Sequence, residues 1–234
     1  ESADAVRARL LPLARQINEV LDQCGFSLCQ GNVRASNPAL CLSFDEWEAT
    51  FADLVGSATP EHILHSTIYF DFRPVWGDLA AGEALQQRVI DIARGNSVFL
   101  HTLAASSLTI KPPLGMFRDF VTDKDADGEH RLDLKVRGLS PFVDAMRVLA
   151  LQAGIAPSNT LARLRALAQA GELSREDAGA YERSFGFIQL LRMREHQRQA
   201  AAGEPMHNRL DPDALNPMDR RILRAAFREA RRLQ

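Results

Sequence analysis

Two short stretches of this chain place acids and bases where they could do chemistry. The first is S-T-I-Y-F-D-F-R-P-V-W-G-D, residues 66–78. As a strand it would set Ile68, Phe70 and Phe72 on one side and Thr67, Tyr69, Asp71 and Arg73 on the other. A carboxylate two residues from a guanidinium on a rigid strand suits a metal- or phosphate-handling site. It equally suits a solvated face with a cross-strand ion pair. The second stretch is L-D-L-K-V-R-G-L-S-P, residues 132–141, where Asp133, Lys135 and Arg137 would share a strand face. That strand leads into a helix start at Ser140-Pro141, where two cations and unpaired N–H groups could converge on an anion. A solvent-facing hairpin strand is the plain alternative. On the helix that follows, Asp144 and Arg147 are three residues apart and therefore neighbours, a pairing that needs no ligand.

Other patterns fall short of a site. Asp123, Asp125, Asp127 and Gly128 match the first half of a calcium loop, but Leu134 stands where a bidentate carboxylate is required. Turn formers in a hairpin loop account for that stretch better. Arg192, Arg194, His196 and Arg198 sit late in a long helix, where basic residues suit the dipole. There is no H-E-x-x-H, G-x-S-x-G, P-loop or G-x-G-x-x-G. Cys24, Cys29 and Cys41 are odd in number and lack a C-x-x-C pair, so they read as reduced, partly buried thiols of a cytoplasmic protein.

The elements that must hold these residues follow from periodicity and caps. Val6, Leu10, Leu13, Ile17 and Val20 recur at helical steps up to Gly25. Residues 26–29 suit a short strand, and Ser43-x-x-Glu46 opens a helix to about Val55. The Asp71 strand comes next, ended by Pro74 and Gly77. Two helices are expected over 79–94 and 97–108, then a break at K-P-P-L-G. A hairpin would pair residues 117–121 with 132–136, and helices would fill 141–153, 160–170, 175–202 and 217–233. The fold class is thus α+β and mostly α: a mixed α/β piece over residues 1–78, then a helical bundle over 79–234.

With 234 residues the chain can bury a core as one large domain or two small ones. Its 28 basic and 30 acidic residues leave a formal charge of −2, which argues against nucleic-acid binding driven by bulk charge. Its apolar stretches are too short to span a bilayer and no secretory leader opens it, so no membrane partner is expected. The opening E-S-A-D-A-V-R, without an initiator Met, reads as a piece of something longer.

Five stretches together resemble one family. They are C-G-F-S-L-C-Q-G-N-V-R-A-S-N-P, the Asp71 segment, K-P-P-L-G-M-F, L-D-L-K-V-R-G-L-S-P-F-V-D-A-M-R-V-L-A-L and G-I-A-P-S-N-T-L-A-R-L. Their combination is similar to the nucleotidyltransferase family of bacterial signalling proteins, usually joined to cyclic-nucleotide-binding and CBS domains. These are related to the uridylyltransferase of the PII nitrogen-signal protein. The resemblance implies part of a polymerase-β-like nucleotidyltransferase core followed by a helical substrate-binding domain. In such enzymes Mg²⁺ ions clamp a nucleoside triphosphate and activate an acceptor hydroxyl, here that of a protein as one candidate.

By this resemblance Asp71 is the catalytic, metal-holding carboxylate of a core strand. Arg73 and Asp78 would orient it or contact phosphate. Lys135, Arg137, Asp144 and Arg147 would close the site around nucleotide or acceptor, and the Asn37 loop would contribute to substrate binding. The sequence departs from the pattern in two places. No G-S-x-G-R loop with a following acid pair precedes the Val6 helix, and Arg34 stands where a methionine is expected. One aspartate does not satisfy two Mg²⁺ ions, so these residues by themselves are expected to be inactive and to bind Mg²⁺ weakly. A module that senses a nucleotide or a partner without chemistry remains open, as does a helical dimerisation module.

Overall fold

Helix caps written into the sequence set most of the architecture. The computed structural model describes residues 2–115, 119–124 and 128–234. It is 67% helical with a small three-stranded sheet, an α+β fold that is mostly α. The chain divides into two compact units, Glu1–Asp53 and Leu54–Gln234.

The first unit is led by α1 (Ala3–Gln23), whose N-terminus is capped by Ser2 Oγ accepting from the Ala5 N–H at 3.3 Å. Arg7 on α1 donates to Glu46 Oε1 at 2.7 Å and to the Cys41 carbonyl at 2.6 Å. Glu46 also completes the expected capping box. Its Oε2 accepts from the Ser43 N–H at 2.7 Å while Ser43 Oγ accepts from the Glu46 N–H at 3.2 Å, opening α2 (Phe44–Ser57). Residues 26–29 are not a strand: all four are exposed, so neither face of that stretch is buried by pairing. Cys24 and Cys29 are exposed rather than partly buried, and only Cys41 is half-buried.

The second unit departs from the sequence reading at the Asp71 segment. Residues 66–69 are the end of a helix, α3 (Pro60–Tyr69), not the start of a strand. Thr59 Oγ1 caps it by accepting from the His62 N–H at 3.2 Å, with Pro60 in the first turn. Its buried residues are Ile63 and Ser66, with Phe70 just beyond, a spacing of three and four that is helical. The alternation of Ile68 with Phe70 misleads because Ile68 faces outward at 42% exposure.

From α4 (Leu79–Arg94) and α5 (Ser97–Ser107) onward the expected helices are found. They are α6 (Ser140–Ala153), α7 (Thr160–Gln169), α8 (Arg175–Ala202) and α9 (Pro217–Leu233). The sheet is a minor element. β1 (Asp123–Lys124) pairs antiparallel with β2 (His130–Asp133), and β2 pairs on its other side with β3 (Arg209–Leu210), Leu132 opposite Leu210.

The hairpin strand expected over 132–136 stops at Asp133. Residues Leu134–Leu139 wind into a π-helical turn that Asp133 caps, its Oδ1 accepting from the Val136 N–H at 2.7 Å. Burial explains the switch, because the turn tucks Leu134, Gly138 and Leu139 inward together. A Cβ at Gly138 would lie 3.1 Å from Ile188 and 3.4 Å from Phe227, a tight fit that would make those side chains of α8 and α9 give way for the turn to seat. Phe117 of the expected partner strand, and Asp125 and Asp127 of the calcium-loop reading, lie outside the described residues. The core of this unit is built from Leu132, Leu134, Phe142, Met146, Leu167, Ile188, Leu223 and Phe227.

Candidate functional site

Asp71 is held by what flanks it. Phe70, the last residue of the α3 turn, is buried and stacks on Phe99 with ring centroids 5.6 Å apart. The Phe72 carbonyl accepts from Gln86 Nε2 at 2.9 Å. Pro74 packs so closely on α4 that a Cβ at Gly82 would come within 2.7 Å of its ring. The carboxylate is thereby delivered to α6 and α7. Arg147 comes from the middle of α6 and Arg163 from the first turns of α7, which Asn159 caps by accepting from the Leu161 and Ala162 N–H groups.

The four side chains form a closed ion cluster. Arg147 donates from Nη2 to Asp71 Oδ2 at 2.6 Å and from Nε to both Asp71 oxygens at 3.2 Å. Its Nη1 donates to Asp144 Oδ1 at 2.6 Å. Arg163 Nη1 lies 2.7 Å from Asp71 Oδ1, an ion pair without the alignment of a hydrogen bond, and its Nε and Nη1 protons are buried with no acceptor. Arg147 and Arg163 are 4% and 3% exposed. Two cations against two anions leave the cluster neutral, which is how buried charge is tolerated.

Burial works against charge at Asp71, Arg147 and Arg163, and the outcomes differ. Burial pushes the Asp71 carboxyl up, but the hydrogen bonds and charge of Arg147, with the charge of Arg163, outweigh it and hold Asp71 below the usual aspartate range. Burial also opposes the Arg147 charge, yet Asp71 and Asp144 more than offset it and raise that guanidinium. Arg163 is the loser: burial and the nearby Arg147 lower it, and Asp71 alone does not compensate.

These residues do not fit Mg²⁺. Both oxygens of Asp71 already face guanidinium groups, so a cation there would meet two positive charges. Among the described residues, no three His, Cys, Asp or Glu side chains gather as a metal would need.

Beside the cluster a cleft of about 410 Å³ opens between α3, α5 and α6. Leu64 and Thr67, Ser106 and Thr109, and Ser140 and Val143 form parts of its wall, with Asp144 and Arg147 at one side. Such mixed lining and size are those of a small-molecule site. Arg147 uses three of its five N–H donors within the cluster.

Asp71, Asp144 and Arg147 are therefore brought together, and the other sequence candidates lie elsewhere. Arg73 is exposed. Asp78 caps α4, its Oδ1 accepting from the Ala81 N–H at 3.0 Å. Lys135 is exposed on the π-helical turn, while Arg137 pairs with Asp123 at 3.0 Å and reaches the Lys111 carbonyl. In the first unit Asn37 caps a single turn, Pro38–Leu40, and donates to the Asn32 carbonyl at 3.0 Å. The late basic residues of α8 are satisfied locally: Arg192 and His196 by Asn208, Arg194 by Asp219, and Arg198 by Glu195 and Glu204.

Arg163 was not among the sequence candidates. Its signal was present, since it shares a face with buried Leu167 four residues on, and an arginine at an apolar position implies a buried partner.

The fold and cluster define a helical domain with a cleft of mixed polar and apolar lining. Residues 97–234 match the family described as "Putative nucleotidyltransferase substrate binding domain", and residues 1–61 match "Putative nucleotidyltransferase DUF294". The chain belongs to this nucleotidyltransferase family, as its five quoted stretches led one to expect. Asp144, Arg147 and Arg163 fall within the substrate-binding match, whereas Asp71 lies between the two matched stretches. Searches of curated proteins and of solved structures found no match to the chain. No helix among the described residues is long and apolar enough to cross a membrane.

Proposed function

We propose that this chain supplies the substrate-binding part of an enzyme that transfers a nucleoside monophosphate from a nucleoside triphosphate to an acceptor, a protein side chain being one candidate. The observation that carries this is Arg147, a buried arginine in the wall of a 410 Å³ cleft, inside the substrate-binding match. A phosphate entering the cleft would gain charge-assisted hydrogen bonds there, and the hydroxyls of Ser106, Thr109 and Ser140 would meet a sugar or base. Asp71 and Asp144 act as counter-ions that hold Arg147 in position. Lys135 and exposed Arg73 are placed in this reading as contacts to the acceptor. Mg²⁺ is then supplied with its ligands by carboxylates other than those of the cluster. Cyclic-nucleotide-binding and CBS domains would provide control in a bacterial signalling protein.

A titration of the 234-residue chain with ATP, UTP, CTP and GTP, each with and without Mg²⁺, tests the reading. Saturable binding of one nucleotide, abolished by Ser106→Trp at an exposed position of the cleft wall, is the expected result. No binding at millimolar nucleotide, or binding that ignores the tryptophan, would reject it. A second reading, a sensor module without chemistry, is favoured by the full engagement of Asp71 with arginines. It expects the same nucleotide to bind equally well without Mg²⁺.

A further inference from the structure

We propose that the C-terminal half of α9 forms a second site, one that binds a small ligand carrying two adjacent phosphates. The helix buries Leu223, Ala226, Phe227 and Ala230 and turns its arginines outward. Arg224, Arg228, Arg231 and Arg232 surround a cavity of about 250 Å³ whose opposite wall is Leu114 and Gly115. Positions 224, 228 and 231 are four and then three apart, so they line one face.

The charges in this cavity are only half matched. Arg224 pairs with Asp119 at 2.9 Å, and Arg232 pairs with Asp177. Arg231 donates to the Leu114 carbonyl at 3.1 Å and meets no carboxylate among the described residues. Arg228 is exposed and has no acidic partner among them. The helix dipole does not account for the group, because its effect fades within the last turn and Arg224 and Arg228 lie before it. Like charges one turn apart repel, so the arrangement costs stability until an anion fills it.

The geometry also selects the class of anion. Arg228 and Arg231 sit three residues apart, with Cβ atoms about 5–6 Å from each other on the helix surface, and two such guanidiniums suit two neighbouring phosphoryl groups better than one. Each planar fork can grip phosphate oxygens through paired N–H donors. Leu114 and Gly115 line the far side of a cavity of only about 250 Å³, a size that suits a small ligand. No residue of this cavity belongs to the cleft beside Arg147, so the two sites stand or fall separately.

Calorimetric titration of the full chain with inorganic pyrophosphate tests the site, with inorganic phosphate and phosphatidylserine vesicles as comparisons. Pyrophosphate should bind saturably, one per chain, about tenfold or more tighter than phosphate. The Arg228→Gln/Arg231→Gln double variant should weaken it by at least about tenfold. Arg221→Gln, at an exposed arginine on α9 outside the cavity, removes charge without touching the site and should leave binding intact. Equal weakening by Arg221→Gln would mean bulk charge alone and overturn the proposal. So would the absence of saturable pyrophosphate binding, or binding to vesicles only. Circular dichroism checks that the double variant folds, as expected where only a carbonyl contact is lost.

Discussion

Arg147 and Asp71, 76 residues apart in sequence, are joined by three hydrogen bonds that use both oxygens of the carboxylate. This pairing ties the turn after α3 to the middle of α6, and Arg163 adds α7 to the same anchor. Asp71 is therefore a structural counter-ion before it is anything else. Asp71→Asn would leave two almost fully buried guanidiniums facing a neutral amide, with only Asp144 to balance them. We expect a loss of about 2–4 kcal/mol, somewhat below that of a fully buried pair because Asp71 is 28% exposed. Urea unfolding measures it, and a change within experimental error would reject the counter-ion role.

The same cluster sets an acid limit to stability. Asp71 titrates below its unfolded value of about 3.9, so its contribution is complete above that pH and is lost as pH falls through the folded value. The stability gap between wild type and Asp71→Asn should be constant from neutral pH to about pH 5 and shrink below about pH 4. Glu46, lowered by the Ser43 backbone hydrogen bond and by Arg7, and Glu195, lowered chiefly by Arg198, also lose stability in acid. Their effect is common to both proteins and cancels in the difference. A gap that persisted to pH 2 would mean that the amide acts through shape rather than charge.

Caps and glycines explain why so much of the fold is legible in the sequence. Ser43-x-x-Glu46, Asn159, Ser174 and Asn216 all cap helices where they are written, and α8 and α9 keep their expected bounds. The Asp71 segment misleads because the seven alternating residues 67–73 satisfy a strand pattern while Ile63, Ser66 and Phe70 satisfy a helical one. Only burial decides between them. The π-helical turn at Leu134–Leu139 was hidden for a similar reason, since its local alternation yields to the gain from burying Leu134 and Leu139 together. Of the candidate site, the Asp144–Arg147 pair was visible as an i, i+3 spacing. Its link to Asp71 and Arg163 depends on tertiary packing that no local pattern encodes.

Two glycine substitutions should move stability in opposite directions. Gly82→Ala would drive a methyl to 2.7 Å from Pro74, whose ring cannot rotate away, and so push the Asp71 turn off α4. The gain in helix propensity is about 1 kcal/mol, so a net loss of about 1–2 kcal/mol is expected. Gly186→Ala on α8 meets nothing within 4 Å and should stabilise by about 0.5–1 kcal/mol. Paired thermal melts would show one midpoint falling and the other rising. A rise in both would mean that Pro74 yields and does not position Asp71.

Arg163→Met separates the stability of the cluster from its purpose. Arg163 is the member whose burial is least compensated, with two N–H groups lacking an acceptor and a charge that burial opposes. Methionine removes those costs and keeps most of the volume, while Arg147 continues to hold both Asp71 oxygens. The substitution should cost less than Asp71→Asn, within about 1 kcal/mol of wild type on either side. If nucleotide binding in the cleft nonetheless weakens, the arginine is retained for the ligand at the expense of stability, the usual mark of a functional residue. A loss as large as that of Asp71→Asn would instead make Arg163 an essential partner of Asp71 and locate the strain of the cluster elsewhere.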